Sequence, residues 1–109
     1  MRSMHVMAVS LFMASACGLD SARETYAQKW CSLATRCNNI GSGRLFASNE
    51  ECLVHLRSSA LSLWPTDRCE KRLDSQALQR CFSTVDDATC SAVDQGVIVL
   101  RCAPSEVCP

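Results

Sequence analysis

The sequence predicts a small all-α, disulfide-rich domain of three to four short helices behind a cleaved export signal. Three observations lead there. Apolar residues recur at helical spacing behind recognisable N-caps, nine cysteines crowd a chain of 109 residues, and an apolar N-terminal run ends in small residues just before the first cysteine. No strand-rich pattern competes with them.

The N-terminal run comes first. Arg2 and His5 form a weakly basic head, and Val6 to Met13 are apolar except for Ser10. A membrane-spanning helix needs roughly 20 apolar residues, so this run is too short to cross a bilayer. It fits the apolar core of an export signal, about 7 to 15 residues long, and Ala14-Ser15-Ala16 supplies the small residues of a cleavage site. Residues 1–16 are therefore read as a signal peptide, 17–20 as a short tether and 21–109 as the folded domain.

Ala14-Ser15-Ala16-Cys17 also resembles the lipobox of bacterial lipoproteins, in which the cysteine sulfur is joined to diacylglycerol. The family pattern prefers Leu where Ala14 stands. The resemblance implies lipidation at Cys17 and anchorage of the mature chain to a membrane. It also implies sorting by the residue after the cysteine: Gly18, not Asp, points to the outer membrane. Ordinary secretion of a chain with the same N-terminus is the alternative, and it leaves the protein extracellular.

Cysteine parity bears on this choice. Removing Cys17 leaves eight: Cys31, Cys37, Cys52, Cys69, Cys81, Cys90, Cys102 and Cys108. In an oxidising compartment thiols pair, so eight read as a framework of four disulfides and the ninth as the lipid carrier. A small chain buries a limited core, and each bridge adds about 2 to 4 kcal/mol.

Helical signals fill the rest. Ser21-Ala22-Arg23-Glu24 has the form of a capping box, followed by Ala27, Trp30, Cys31, Ala34 and Cys37 on one face, which predicts a helix over 22–38. The segment from Asn38 to Gly43 ends it. A second capping box, Ser48 to Glu51, opens a helix with Cys52, Leu53, Leu56, Ala60 and Leu63 on one face, and Pro65 closes it. Two such helices joined by a short loop pack antiparallel, which brings Cys37 near Cys52 and makes them the favoured pair. Asp67 or Asp74 caps a third helix, with Ala77, Leu78, Cys81, Phe82 and Val85 as its buried stripe. Asp86-Asp87 opens a short fourth helix carrying Cys90, which favours a Cys81–Cys90 pair. Val97 to Leu100 fits either an extended segment or a buried helical turn. Cys102 and Cys108 bracket Pro104 and close a C-terminal loop. These pairs are chosen among roughly 100 arrangements open to eight cysteines.

Searches for chemistry come back empty. With His5 lost to the signal, His55 is the sole histidine, which leaves no local partner set for a hydrolytic triad. Successive cysteines after Cys17 are separated by 6, 15, 17, 12, 9, 12 and 6 residues, without the close pairs of zinc sites or the C-x-x-C of redox enzymes. Glu50-Glu51 and Asp86-Asp87 stand at expected helix starts, where the helix dipole favours carboxylates. Arg68, Lys71 and Arg72 are surrounded by Asp67, Glu70 and Asp74, and without Arg2 ten basic residues face 11 acidic ones, so no nucleic-acid footprint emerges. Gly41-Ser42-Gly43 lacks the rest of a phosphate loop. The chain thus reads as a non-enzyme, without metal or cofactor, whose partners are the membrane and an envelope or extracellular protein. A secreted, non-lipidated effector or inhibitor is the runner-up. Trp30 reads as core, and Trp64, at a helix end, as the candidate contact residue.

Taken together, the export signal ending in Ala16-Cys17, the Trp30-Cys31…Cys37 spacing, Glu51-Cys52-Leu53 and Cys81-Phe82…Cys90 resemble the small cysteine-rich lipoproteins abundant in myxobacteria. That resemblance implies a helical, disulfide-bonded, lipid-tethered domain, and it implies no activity.

Overall fold

A computed structural model describes residues Gly18–Pro109; the signal segment and Cys17 lie outside the described residues. Six helices follow in order: α1 (Leu19–Arg36), α2 (Asn49–Leu63), α3 (Thr66–Cys69), α4 (Ser75–Asp87), α5 (Ala92–Arg101) and α6 (Pro104–Val107). Among the described residues there is no strand, only an isolated bridge between Ile40 and Phe46. The domain is all-α and disulfide-rich, as expected.

Helix α1 is the central pillar, and it starts earlier than its sequence suggests. Gly18 is the N-cap in extended conformation and no side chain caps the helix, so the Ser21 box is not used. Burial of Leu19 outweighs the cap, drawing the first turn onto the core. Leu19 and Asp20 thus belong to the helical domain rather than to a tether. The C-terminus closes in a Schellman motif: Asn38 takes φ 62°, its N–H donates to the Thr35 carbonyl, and the Asn39 N–H donates to the Ala34 carbonyl.

The second capping site works as read. Ser48 Oγ accepts from the Glu51 N–H at 3.1 Å, and the Glu51 carboxylate reaches back to the Ala47 N–H at 3.3 Å. Pro65 ends α2. Opposed pairs of residues, Glu24 with Arg57 and Cys31 with Cys52, show that α2 runs antiparallel to α1. Asp74 caps α4 by accepting from the N–H groups of Gln76 and Ala77. Along α1, Lys29 meets Asp86 and Arg36 donates to the Val85 carbonyl, so α4 lies beside α1 on another flank.

Asp86-Asp87 does not open a helix. α4 continues through Asp87, with Asp86 taken by Lys29 of α1 at 2.7 Å. The next helix opens at Ser91, whose Oγ accepts from the Asp94 N–H, while the Asp94 carboxylate accepts from the Thr89 N–H and hydroxyl. Those bonds hold the Asp94 carboxyl below the usual range. Cys90 therefore sits in the connection, and Val97 to Leu100 is helix with Ile98 buried.

The main core gathers Leu19, Tyr26, Leu33, Trp64, Val85, Ile98 and Val107, and a smaller cluster forms around the Cys31–Cys52 bridge. Buried Arg23 is threaded through the main core. Its Nε and Nη2 donate to the Trp64 carbonyl, Nη2 also to Thr66 Oγ1, and Nη1 to Asp20 Oδ1. The carbonyl at the end of α2 would otherwise be unpaired, because Pro65 breaks the chain direction there and carbonyls at a helix C-terminus carry partial negative charge.

The bridges are Cys31–Cys52, Cys37–Cys90, Cys69–Cys108 and Cys81–Cys102. Neither favoured pair forms. The loop after α1 doubles back through the Ile40–Phe46 bridge, so the start of α2 meets α1 at Cys31 rather than at Cys37. Cys37 faces the connection after α4 instead. Cys81 and Cys90 are kept apart because the helix from 81 to 87 already spans about 9 Å, more than a disulfide tolerates. Cys102 and Cys108 likewise do not close a loop on each other: they staple α5 and α6 back to α4 and α3.

Candidate functional site

Three elements and a distant glutamine enclose an aromatic cleft of about 250 Å³. Helix α1 supplies Tyr26, Trp30 and Ala34, spaced four residues apart and so on one face. Helix α2 contributes His55, Leu56 and Ser59; the loop between them adds Asn39, Leu45 and Phe46; Gln95 of α5 completes the wall. The loop holds its shape because the Gly41 N–H donates to the Phe46 carbonyl, and the Phe46 N–H to the Asn39 carbonyl. Gly43 at φ 76° makes that return possible, a conformation that favours glycine.

The walls are aromatic and tightly paired. Tyr26 and Trp30 meet edge to face with centroids 6.3 Å apart, and Phe46 tilts against His55 at 5.5 Å. Leu45 stands at the rim, 72% exposed. Burial pushes the Tyr26 phenol above its usual range, against a weaker opposing pull from the Trp30 indole. That indole Nε1 is nonetheless out of solvent without a hydrogen-bond partner of good geometry.

His55 is exposed and makes no hydrogen bond or ion pair with the described residues, so nothing orients it as a base. Among the described residues no group of three or more His, Cys, Asp or Glu stands close enough to hold a metal ion. No helix among them is long and apolar enough to cross a membrane.

The structure overturns the part that the sequence suggests for Trp64. Trp64 is fully buried, with Nε1 donating to the Cys102 carbonyl at 2.9 Å, and so cannot serve as a surface contact. A residue before proline at a helix end lies wherever the next segment packs; here α3 and the Cys81–Cys102 bridge close over it. Trp30 packs against the main core as read, partly buried, and its other side lines the cleft. Tyr26, Phe46 and Gln95 were not singled out from the sequence. A Tyr26–Trp30 pair at helical spacing was the available signal; the loop's Phe46 and the remote Gln95 gave none.

The fold and cleft define a small, four-disulfide helical domain with an open aromatic cleft. Residues 31–109 match the model of a family of unknown function, DUF6184, and the chain belongs to that family. The matched span begins at Cys31 and so takes in every bridged cysteine. No curated protein and no solved structure matches the chain.

Proposed function

We propose that this chain is an exported lipoprotein whose domain acts as a non-enzymatic interaction module of the cell envelope. The signal segment is removed before Cys17, the Cys17 sulfur carries diacylglycerol, and the helical domain is displayed from the outer membrane. One observation carries the reading: the eight cysteines from Cys31 to Cys108 pair entirely among themselves, which leaves Cys17 without a crosslinking role there. Bridges of this density belong to oxidising compartments. A single acyl chain binds membranes reversibly, and a diacylglyceryl group holds far more firmly.

Within that reading, the aromatic cleft is the contact surface. Tyr26 and Trp30 lie about 12 to 18 Å along α1 from Gly18, which sets the cleft away from the lipid and toward an envelope or extracellular protein. Aromatic and apolar walls suit an apolar side chain of such a partner.

The test is the intact mass of protein purified from membranes. The expected mass lacks residues 1–16, includes a diacylglyceryl group and is short by the eight hydrogens of four disulfides. A bare Cys17 on protein recovered from culture fluid overturns the reading in favour of a secreted effector or inhibitor.

A further inference from the structure

A second concavity, about 370 Å³ in volume, begins at Gly18. Ser21, Ala22 and Thr25 of α1 form one wall, and Ser75, Leu78 and Phe82 of α4 the other, with Leu73 between them. Most of its surface is apolar: Leu73, Leu78 and Phe82 are only partly buried although they pack on the main core. Lys29 Nζ, paired with Asp86, stands 5.9 Å from the centroid of the Phe82 ring that lines the groove.

We infer that this groove seats part of one acyl chain carried by Cys17. The inference rests on the lipoprotein reading above. Cys17 directly precedes Gly18, which lines the groove, so a single peptide bond joins the lipid-bearing residue to it. No spacer separates lipid from domain. An acyl chain gains as much from a bilayer as from a protein groove, so the walls decide. With the chain in the bilayer, Leu73, Leu78 and Phe82 stay wet; with the chain in the groove, both surfaces leave water. The groove runs along the eight residues from Gly18 to Thr25, about 10 Å, which accommodates a section of one chain and leaves the second chain for the membrane. The domain is thereby clamped to its own anchor in one orientation, instead of swinging on it.

The experiment uses lipidated protein carrying Thr25→p-benzoylphenylalanine, reconstituted into phosphatidylethanolamine and phosphatidylglycerol vesicles with deuterated acyl chains. After irradiation and tryptic digestion, mass spectrometry reads what the probe has joined. The expected product links peptide 24–29 to the lipid of peptide 17–23 through an undeuterated acyl chain. A Ser75→p-benzoylphenylalanine variant repeats the test from the opposite wall, in case the first substitution disturbs α1. Gln79, exposed on α4 away from this groove, serves as the control position and is expected to give no such product. Adducts with deuterated tails mean that the groove faces the bilayer directly, and overturn the inference, as does absence of any acyl adduct at both positions. The intact mass of the same sample separates the two claims: a lipidated Cys17 without the crosslink refutes the groove alone, and an unlipidated Cys17 refutes both.

Discussion

Trp64 and Trp30 both pack against Tyr26, yet they belong to different regions of the molecule. The Tyr26 ring lies 5.0 Å from that of Trp64 and 6.3 Å from that of Trp30. On the Trp64 side the indole is sealed, its N–H donates to the Cys102 carbonyl, and its own carbonyl receives the Arg23 guanidinium. Both the indole N–H and the carbonyl of Trp64 are thus paired within the domain. On the Trp30 side the indole is half-exposed, its N–H is unpaired, and the neighbouring walls are exposed Leu45 and tilted Phe46. The same residue type thus fixes the core on one side of Tyr26 and leaves an unmet donor on the other. Completed hydrogen bonding marks a structural region, and an unfilled apolar cleft marks one with capacity for a ligand.

Substitutions at the two tryptophans sharpen this contrast. Trp64→Ala empties the centre of the main core, and the expected loss of about 3 to 5 kcal/mol is read by urea unfolding. Trp30→Phe removes an unsatisfied donor from the cleft wall and is expected to change stability by less than about 1 kcal/mol in the same assay. Equal losses at the two positions would dissolve the distinction.

Next in size come the staples. Replacing Cys81 and Cys102 together by Ser is expected to lower stability by about 2 to 4 kcal/mol, because the bridge closes over Trp64 and restrains the unfolded chain. Arg23→Met leaves the Trp64 carbonyl and Thr66 hydroxyl without their donor, at about 1 to 3 kcal/mol in thermal unfolding.

The smallest effect is electrostatic and depends on pH. Hydrogen bonds from Arg57, and then Gln28, hold the Glu24 carboxyl down from 4.5 to about 2. A depressed folded-state pKa means that the contribution is complete above pH 4.5 and fades as pH falls through about 2. Both partners of this ion pair are well exposed, so the effect is weak and salt-sensitive. Glu24→Gln is expected to flatten that acid limb, while stability near neutral pH changes little; acid titration of unfolding for the two proteins checks it.

What the sequence disclosed follows the range of the forces involved. Helix α2 was legible at both ends because Ser48, Glu51 and Pro65 act within one turn, and Asp74 announced α4 in the same way. Ser21 misled because long-range burial of Leu19 moved the start of α1 outward, and Asp86-Asp87 misled because Lys29 claims Asp86 from another helix. The four-bridge framework followed from counting, whereas its connectivity depends on how far α2 slides along α1 and where the connection after α4 falls. The cleft was half visible: Trp30 lay on the expected face, and the Phe46 and Gln95 walls arrive only with the fold.

The central claim is a division of labour among nine sulfurs, and non-reducing peptide mapping of the native protein tests it most directly. The account predicts crosslinked peptides joining Cys31 to Cys52, Cys37 to Cys90, Cys69 to Cys108 and Cys81 to Cys102, with Cys17 found solely in a diacylglyceryl-modified peptide. Any crosslinked peptide that contains Cys17 would contradict it.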